Sequence, residues 1–192
     1  MTTIVTIVEG DGEVKALPIL LRRVAEARGI YDLDVPAPIR VRRDQFIRRD
    51  EEFKRKIQLA AAKAKDAKVI ILLDADDDCP VELAAEIAER AQLVAPGLRL
   101  SVVVARREFE AWLLAGADSL AGKRGLREGM EAPAEPDSIR NAKGWLSEHI
   151  RTGRYHEVSD QPALTAVVDL EQVAARSRSF RKFIKEVELA LS

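Results

Sequence analysis

The sequence predicts an α/β fold with a parallel sheet of about four strands flanked by helices, and three observations predict it. Apolar, β-branched runs stand at residues 3–8, 39–42, 69–73 and 98–105. The segments between them repeat apolar residues at helical spacing. The run Val69-Ile-Ile-Leu-Leu73 is apolar without alternation, as in a strand covered on both faces. Strands that alternate with helices give a parallel, helix-flanked sheet.

The first strand runs into Glu9-Gly10-Asp11-Gly12-Glu13, after which Val14, Leu17, Leu20, Leu21 and Val24 recur at helical spacing. Gly10 and Gly12 read as positions of positive φ in a tight turn. The turn is not a phosphate loop. Lys15 stands where a dinucleotide fingerprint needs its third glycine, and Gly-Lys-Ser/Thr is absent. Arg28-Gly29 closes the helix. A loop at 32–38 leads to the half-exposed second strand, 39–42, and a charged helix at 50–65 turns Phe53, Ile57, Ala60 and Ala64 inward. After the third strand, Pro80 opens a helix at its favoured first position, and Pro96-Gly97 ends it. A further helix is expected to begin in Arg106-Arg107-Glu108-Phe109-Glu110 directly after the fourth strand, with Trp112 in the core. Residues 121–137, rich in glycine and proline, form the longest irregular stretch. Ser138 reads as the cap of a helix through Ile150, 153–162 as a loop, and 163–170 and 171–190 as helices. The expected organisation is a sheet domain over 1–120 with a mostly helical C-terminal extension, 121–192, packed on it as one unit.

The chemistry gathers after the third strand, where Asp74, Asp76, Asp77 and Asp78 fall within five residues. That is the carboxyl edge of the sheet, where open α/β folds bind ligands. If Asp74 and Asp76 remain extended they share a face about 6.6 Å apart along the strand. Their repulsion is about 2.5 kcal/mol at an effective dielectric of about 20. A hard cation such as Mg²⁺ removes that penalty. Glu9 and Glu13 follow the first strand, and Glu108 and Glu110 follow the fourth, so three acidic sets head for one edge. A calcium loop starting at Asp74 fails, because Cys79 and Ala85 stand where it needs Gly and Glu. His149 and His156 lack partners at zinc spacing.

The net charge of −1 conceals an asymmetry. Residues 40–68 carry eleven Lys/Arg against five Asp/Glu, and residues 74–90 carry seven acids against one base. A basic segment beside an acidic cluster suits a metal-using phosphodiester enzyme. Arg40, Arg42, Arg43, Arg48 and Arg49 are the candidates to hold a nucleic-acid backbone. The single Cys79 forms no internal disulfide, which suits a reducing cytoplasm. The N-terminus has no basic n-region. No apolar run approaches the roughly 20 residues of a membrane span. A cytoplasmic protein without membrane contact is expected.

Glu9-Gly10 after the first strand and Asp74-x-Asp76 after a later buried one, joined by crossover helices, resemble the TOPRIM domain. That Rossmann-like metal-binding fold is shared by topoisomerases, bacterial primases and OLD-type nucleases. The resemblance covers residues 2–115. Arg107-Glu-Phe-Glu-Ala-Trp-Leu-Leu, the helix of Trp145-Leu146, residues 155–170 and Ser177-Arg-Ser-Phe180 extend it. Together they resemble, over nearly the whole chain, one bacterial domain-of-unknown-function family that is TOPRIM-like. The resemblance implies Glu9 as general acid/base or metal ligand. It implies Asp74 and Asp76 as ligands of Mg²⁺ or Mn²⁺, Asp78 as a third acid, Glu13 as a further ligand, and Glu108 or Glu110 as completing a second site. It implies an ABC/SMC-like ATPase as partner, from the genes that neighbour such families, and on that ground alone a role in phage defence. No tyrosine is assignable to strand passage, and a catalytic lysine, present in some nuclease relatives, is not placed by spacing.

The reading is a Mg²⁺/Mn²⁺-dependent nuclease. Two rivals stand beside it. One is a non-catalytic module of the same shape that binds an ATPase or nucleic acid. The other is a haloacid-dehalogenase-like phosphatase, whose first motif fits Ile70-Ile-Leu-Leu-Asp74-Ala-Asp76 but is followed here by Asp77 and Asp78.

Overall fold

The computed structural model describes residues 2–192. Four strands, β1 (Ile4–Val8), β2 (Ile39–Arg40), β3 (Lys68–Asp74) and β4 (Leu100–Ala105), form one sheet in the order β2-β1-β3-β4, every pair parallel. β1 and β3 run in register from Ile4 beside Lys68 to Val8 beside Leu72. Asp74, the last residue of β3, pairs with Ala105. The chain leaves β1 for β2 on one side, then crosses back to β3 on the other. The carboxyl ends of β1 and β3 therefore flank the switch point, where α/β sheets hold ligands.

Alternating side chains give the sheet two cores. On one face Val5, Ile7, Val69, Ile71, Leu73, Val102 and Val104 pack against α3 (Asp50–Ala64) and α4 (Pro80–Val94). On the other, Ile4, Val8, Ile70, Leu72 and Val103 pack against α1 (Asp11–Glu26) and the helices after β4. Trp112 lies in this second core among Phe109, Phe180 and Phe183, at ring-centroid distances of 5.1, 5.1 and 5.4 Å. One continuous core thus joins the sheet to residues as distant as Val187 and Ala190.

Several element boundaries differ from expectation, each for a local reason. β2 stops at Arg40, and the chain turns into an unexpected short helix, α2 (Arg43–Arg48). Its one buried side chain, Phe46, packs on Phe53 at 4.9 Å, too little to write a periodicity. No helix begins at Arg106, because Arg107 takes a left-handed conformation (φ 67°). α5 (Glu110–Ala115) starts later, and α6 (Ala117–Leu120) follows. Ser138 ends a 3₁₀ turn (Pro136–Ser138) instead of capping a helix. Asn141 caps α7 (Ala142–His149), its Oδ1 accepting the Gly144 N–H at 2.9 Å. Half of the expected 153–162 loop is helix. α8 (Glu157–Thr165) persists through Pro162 because it packs along α1. The last segment is two helices, α9 (Leu170–Arg176) and α10 (Arg178–Leu191), separated at Ser177, whose hydroxyl accepts the Phe180 N–H. Among the described residues no helix is long and apolar enough to cross a membrane.

Candidate functional site

Three strand ends and two later helices enclose a cleft of about 490 Å³ at the carboxyl edge of the sheet. Glu9 and Glu13 enter from the β1–α1 turn, Asp74 and Asp76 from the end of β3, and Lys143 and Glu157 from α7 and α8. Arg40, Arg42 and Arg43 line the side next to β2.

The floor is a group of carboxyls withdrawn from water. Glu13 is 5% exposed and Glu110 0%. Asp74 accepts the Phe109 N–H at 2.9 Å through Oδ1. Burial, then the facing charges of Glu13, Glu110 and Glu9, holds its carboxyl well above the ordinary 3.8. Burial first and Asp76 second push Glu9 to about 7, against the pull of Arg43. Burial likewise raises Glu110 to about 7, against the charge of Lys143. Glu9 Oε2 and Glu110 Oε2 are both buried without a hydrogen-bond partner. Buried oxygens of this kind lose their hydration without compensation.

Side chains remote in sequence organise that floor. Gln161, fully buried on α8, donates through Nε2 to Glu13 Oε1 at 2.8 Å and to Glu110 Oε1 at 3.2 Å. The Tyr155 hydroxyl donates to Glu110 Oε1 at 3.0 Å, and burial beside that carboxylate drives the phenol's own pKa upward. Lys143 Nζ lies 2.8 Å from Glu157 Oε2 and 3.9 Å from Glu110 Oε1. Against its own burial, Glu110, Glu157 and Asp74 hold it as the ammonium ion. Glu157 also accepts the Gly12 N–H at 3.4 Å, at the N-terminus of α1.

This arrangement corrects the reading of the two glycines. Neither Gly10 (φ −96°) nor the helical Gly12 has a positive φ. Close approach is the reason for both. A Cβ at Gly10 would stand 2.7 Å from Glu157 Oε1 and closer still to Glu13 Oε2. One at Gly12 would stand 2.6 Å from Glu157 Cγ and 2.9 Å from Gln161 Cδ.

The acidic turn after β3 is built differently. Asp76 is not extended but left-handed (φ 50°), a conformation aspartate tolerates. Its N–H donates to Arg107 O at 3.1 Å, and Arg107 Nη1 donates back to Asp76 O at 3.0 Å. Arg43 braces the other side, donating to Asp74 O at 2.9 Å and Ala75 O at 3.3 Å. It also pairs with Asp78 and stands 3.7 Å from Asp76 Oδ2. Asp77 pairs with Arg107 and Arg140, which hold its carboxyl below the usual range.

The structure therefore brings Glu9, Glu13, Asp74 and Asp76 to one cleft, with Glu110 directly beneath. Asp78 lies outside the lining, against Arg43, and Glu108 is half-buried, its pKa raised by burial. Arg40 pairs with Asp11 at 3.0 Å on the cleft wall, whereas Arg48 and Arg49 are exposed away from the lining. Lys143, Tyr155, Glu157 and Gln161 were not singled out by sequence. Of these, Glu157 and Gln161 left a trace in the pair of glycines that make room for them.

Among the described residues no three His, Cys, Asp or Glu side chains are gathered into a cage for an ion. The site is thus unlike an all-protein zinc or calcium centre. Mg²⁺ requires less, since it keeps several waters and binds through one or two carboxylates together with substrate phosphates. Hard carboxylate oxygens, one of them the unpartnered Glu9 Oε2, fit that requirement.

The family described as Domain of unknown function (DUF4276) matches residues 8–188. The chain belongs to this family. The match spans every element from the end of β1 into α10, so the cleft of this DUF4276 chain lies wholly within it. No curated protein and no solved structure matches the chain.

Proposed function

We propose that this protein is a Mg²⁺- or Mn²⁺-dependent phosphodiesterase of nucleic acid, with its carboxylates arranged as in TOPRIM domains. The observation that carries the reading is the carboxyl floor at the β1/β3 switch point. Glu9, Glu13, Asp74 and Glu110 are costly there as bare anions and suited to sharing a cation. The succession of strand, Glu9, strand and Asp74-x-Asp76 in a parallel sheet supports the TOPRIM comparison.

Of Glu9, Asp74 and Asp76, one or two would hold the ion directly and the others through its waters, with Glu13 and Glu110 behind them. When bound, Mg²⁺ supplies polarisation of a phosphoryl oxygen and neutralises charge on it. Glu9, at about 7, exchanges a proton near neutral pH and is the group suited to general acid/base work. Lys143 keeps a positive charge at the cleft against three acids. Arg40 and Arg42 on the cleft wall would meet backbone phosphates. An ABC/SMC-like ATPase is the proposed partner, on the family resemblance.

One observation favours the non-catalytic alternative. Arg43 already serves Asp76 and Asp78 as an internal cation, which a docking module would need and a metal centre would not.

The test is calorimetric titration of Mg²⁺ and Mn²⁺ into metal-free protein, followed by metal-dependent cleavage assays on DNA and RNA. Binding and cleavage that are both lost in Glu9→Gln and Asp74→Asn support the reading. Cleavage indifferent to both substitutions overturns it. Co-purification with an ATPase, without metal binding or cleavage, selects the module.

A further inference from the structure

Outside the cleft lining, next to Asp76 in the turn after β3, stands a second pair of bases. Arg107 follows β4 and Arg140 precedes α7. Both guanidinium groups converge on one carboxylate oxygen, Asp77 Oδ1; Arg107 Nη1 pairs with it, and Arg140 Nη1 lies 2.9 Å away. The Asp77 side chain is 73% exposed, so this carboxylate sits in water. Exposed ion pairs are weak and exchange readily. Arg107 is nevertheless fixed. Its side chain is tied to Asp76 O, its carbonyl accepts the Asp76 N–H, and only 23% of it is exposed. Arginine forks match phosphate as well as carboxylate. Asp77 adjoins Asp76, a lining residue of the acidic cleft.

We infer that Arg107 and Arg140 form a phosphate subsite in which Asp77 is a resident counter-ion, displaced by a nucleic-acid backbone phosphate adjacent to the one at the carboxyl floor. The inference rests on the nucleic-acid reading above and adds to it a fixed position for the strand. The carboxylate oxygen marks where a phosphate oxygen sits. Asp77 then acts as a built-in competitor, so its removal and the removal of an arginine act in opposite directions.

The experiment measures binding of a short, labelled single-stranded oligonucleotide by fluorescence anisotropy in EDTA, over a range of salt, with tripolyphosphate as competitor. EDTA removes any contribution from a divalent ion. Asp77→Asn is expected to tighten binding about tenfold, because a competing anion is lost. Arg140→Gln is expected to weaken it about tenfold and to reduce the slope of log K against log salt by about 0.7, the share of one single-strand phosphate. Melting curves check that both variants fold; both side chains are largely exposed. Binding by Asp77→Asn equal to or weaker than wild type overturns the inference, and so does an unchanged salt slope in Arg140→Gln. If Asp74→Asn abolishes metal-dependent cleavage while Asp77→Asn leaves oligonucleotide binding unaltered, the nuclease reading survives and the subsite falls. If tripolyphosphate binds, more tightly to Asp77→Asn, and the oligonucleotide does not, the nucleic-acid assignment falls together with the nuclease reading.

Discussion

The two acidic turns at the head of the sheet have similar composition and opposite construction. In the turn after β3, each outlying aspartate has its own arginine: Asp78 has Arg43, and Asp77 has Arg107 and Arg140. These pairs lie at the surface and are neutralised where they stand. In the turn after β1, Glu9 and Glu13 face Asp74 and Glu110; the Gln161 amide donates to Glu13 and Glu110, the Tyr155 hydroxyl to Glu110, and the Asp74 backbone to Glu9. The first turn is balanced by charge. The second is positioned by hydrogen bonds and left short of positive charge, with Lys143 the nearest ammonium. The less compensated negative charge therefore lies between the turns and not within the conspicuous aspartate run.

That contrast breaks most sharply at Asp74. Asp74→Asn keeps an acceptor for the Phe109 N–H but removes a charge from the floor. Metal-dependent cleavage should fall about a hundred- to a thousandfold, the scale lost when a group stabilising transition-state charge is removed. The metal-free protein should melt higher, because the repulsion on Glu9 and Glu110 is relieved. A lower melting temperature would show that Asp74 stabilises the fold and is not strained within it.

A pH titration of stability comes next in size. The Glu110 carboxyl moves from an ordinary 4.5 in the unfolded chain to about 7 in the fold. Between those values the folded state holds more protons than the unfolded one, so stability falls as pH rises through that window. At about 1.4 kcal/mol per pH unit, Glu110 alone accounts for about 3 kcal/mol. Glu9, less enclosed, adds to it in the same direction. Chemical denaturation of metal-free protein from pH 4.5 to 8 checks this, and Mg²⁺ should recover stability mainly at the upper end. Stability that rises across the window contradicts the account.

Gly12→Ala probes the second turn's packing. Its new methyl meets Glu157 and Gln161 on a buried helix face, so a loss of about 2 kcal/mol is expected in urea denaturation. At the small end, Asp78→Asn alters an exposed carboxylate, leaves Arg43 its backbone acceptors, and should change stability by no more than about 0.5 kcal/mol. Near-equal losses in these two variants would erase the distinction between the turns.

The sheet was legible because strands covered on both faces are written as β-branched runs, and Val69-Ile-Ile-Leu-Leu73 is such a run. Glu9, Asp74 and Asp76 were legible because they immediately follow such runs. What escaped was either short or distant. α2 contributes one buried residue, and α8 contains Pro162, which reads as a breaker until α1 is present to pack against it. Gln161 reaches Glu13 across 148 positions, a separation no local pattern records. Gly10 and Gly12 announced that something came close to the turn after β1. They carried no information on what it was, and the expectation of positive φ followed from that gap.

The bridging role of α8 also sets an order of assembly during synthesis. Glu13 leaves the ribosome 148 positions before Gln161. Until then α1 lacks the helix that covers it, and the carboxyls of Glu13 and Glu110 lack their amide donor. A nascent or truncated chain ending before α8 therefore carries Glu9, Glu13, Asp74, Asp76 and Glu110 without Glu157 and Gln161, which complete the cleft. The cleft is completed only when α8 packs along α1.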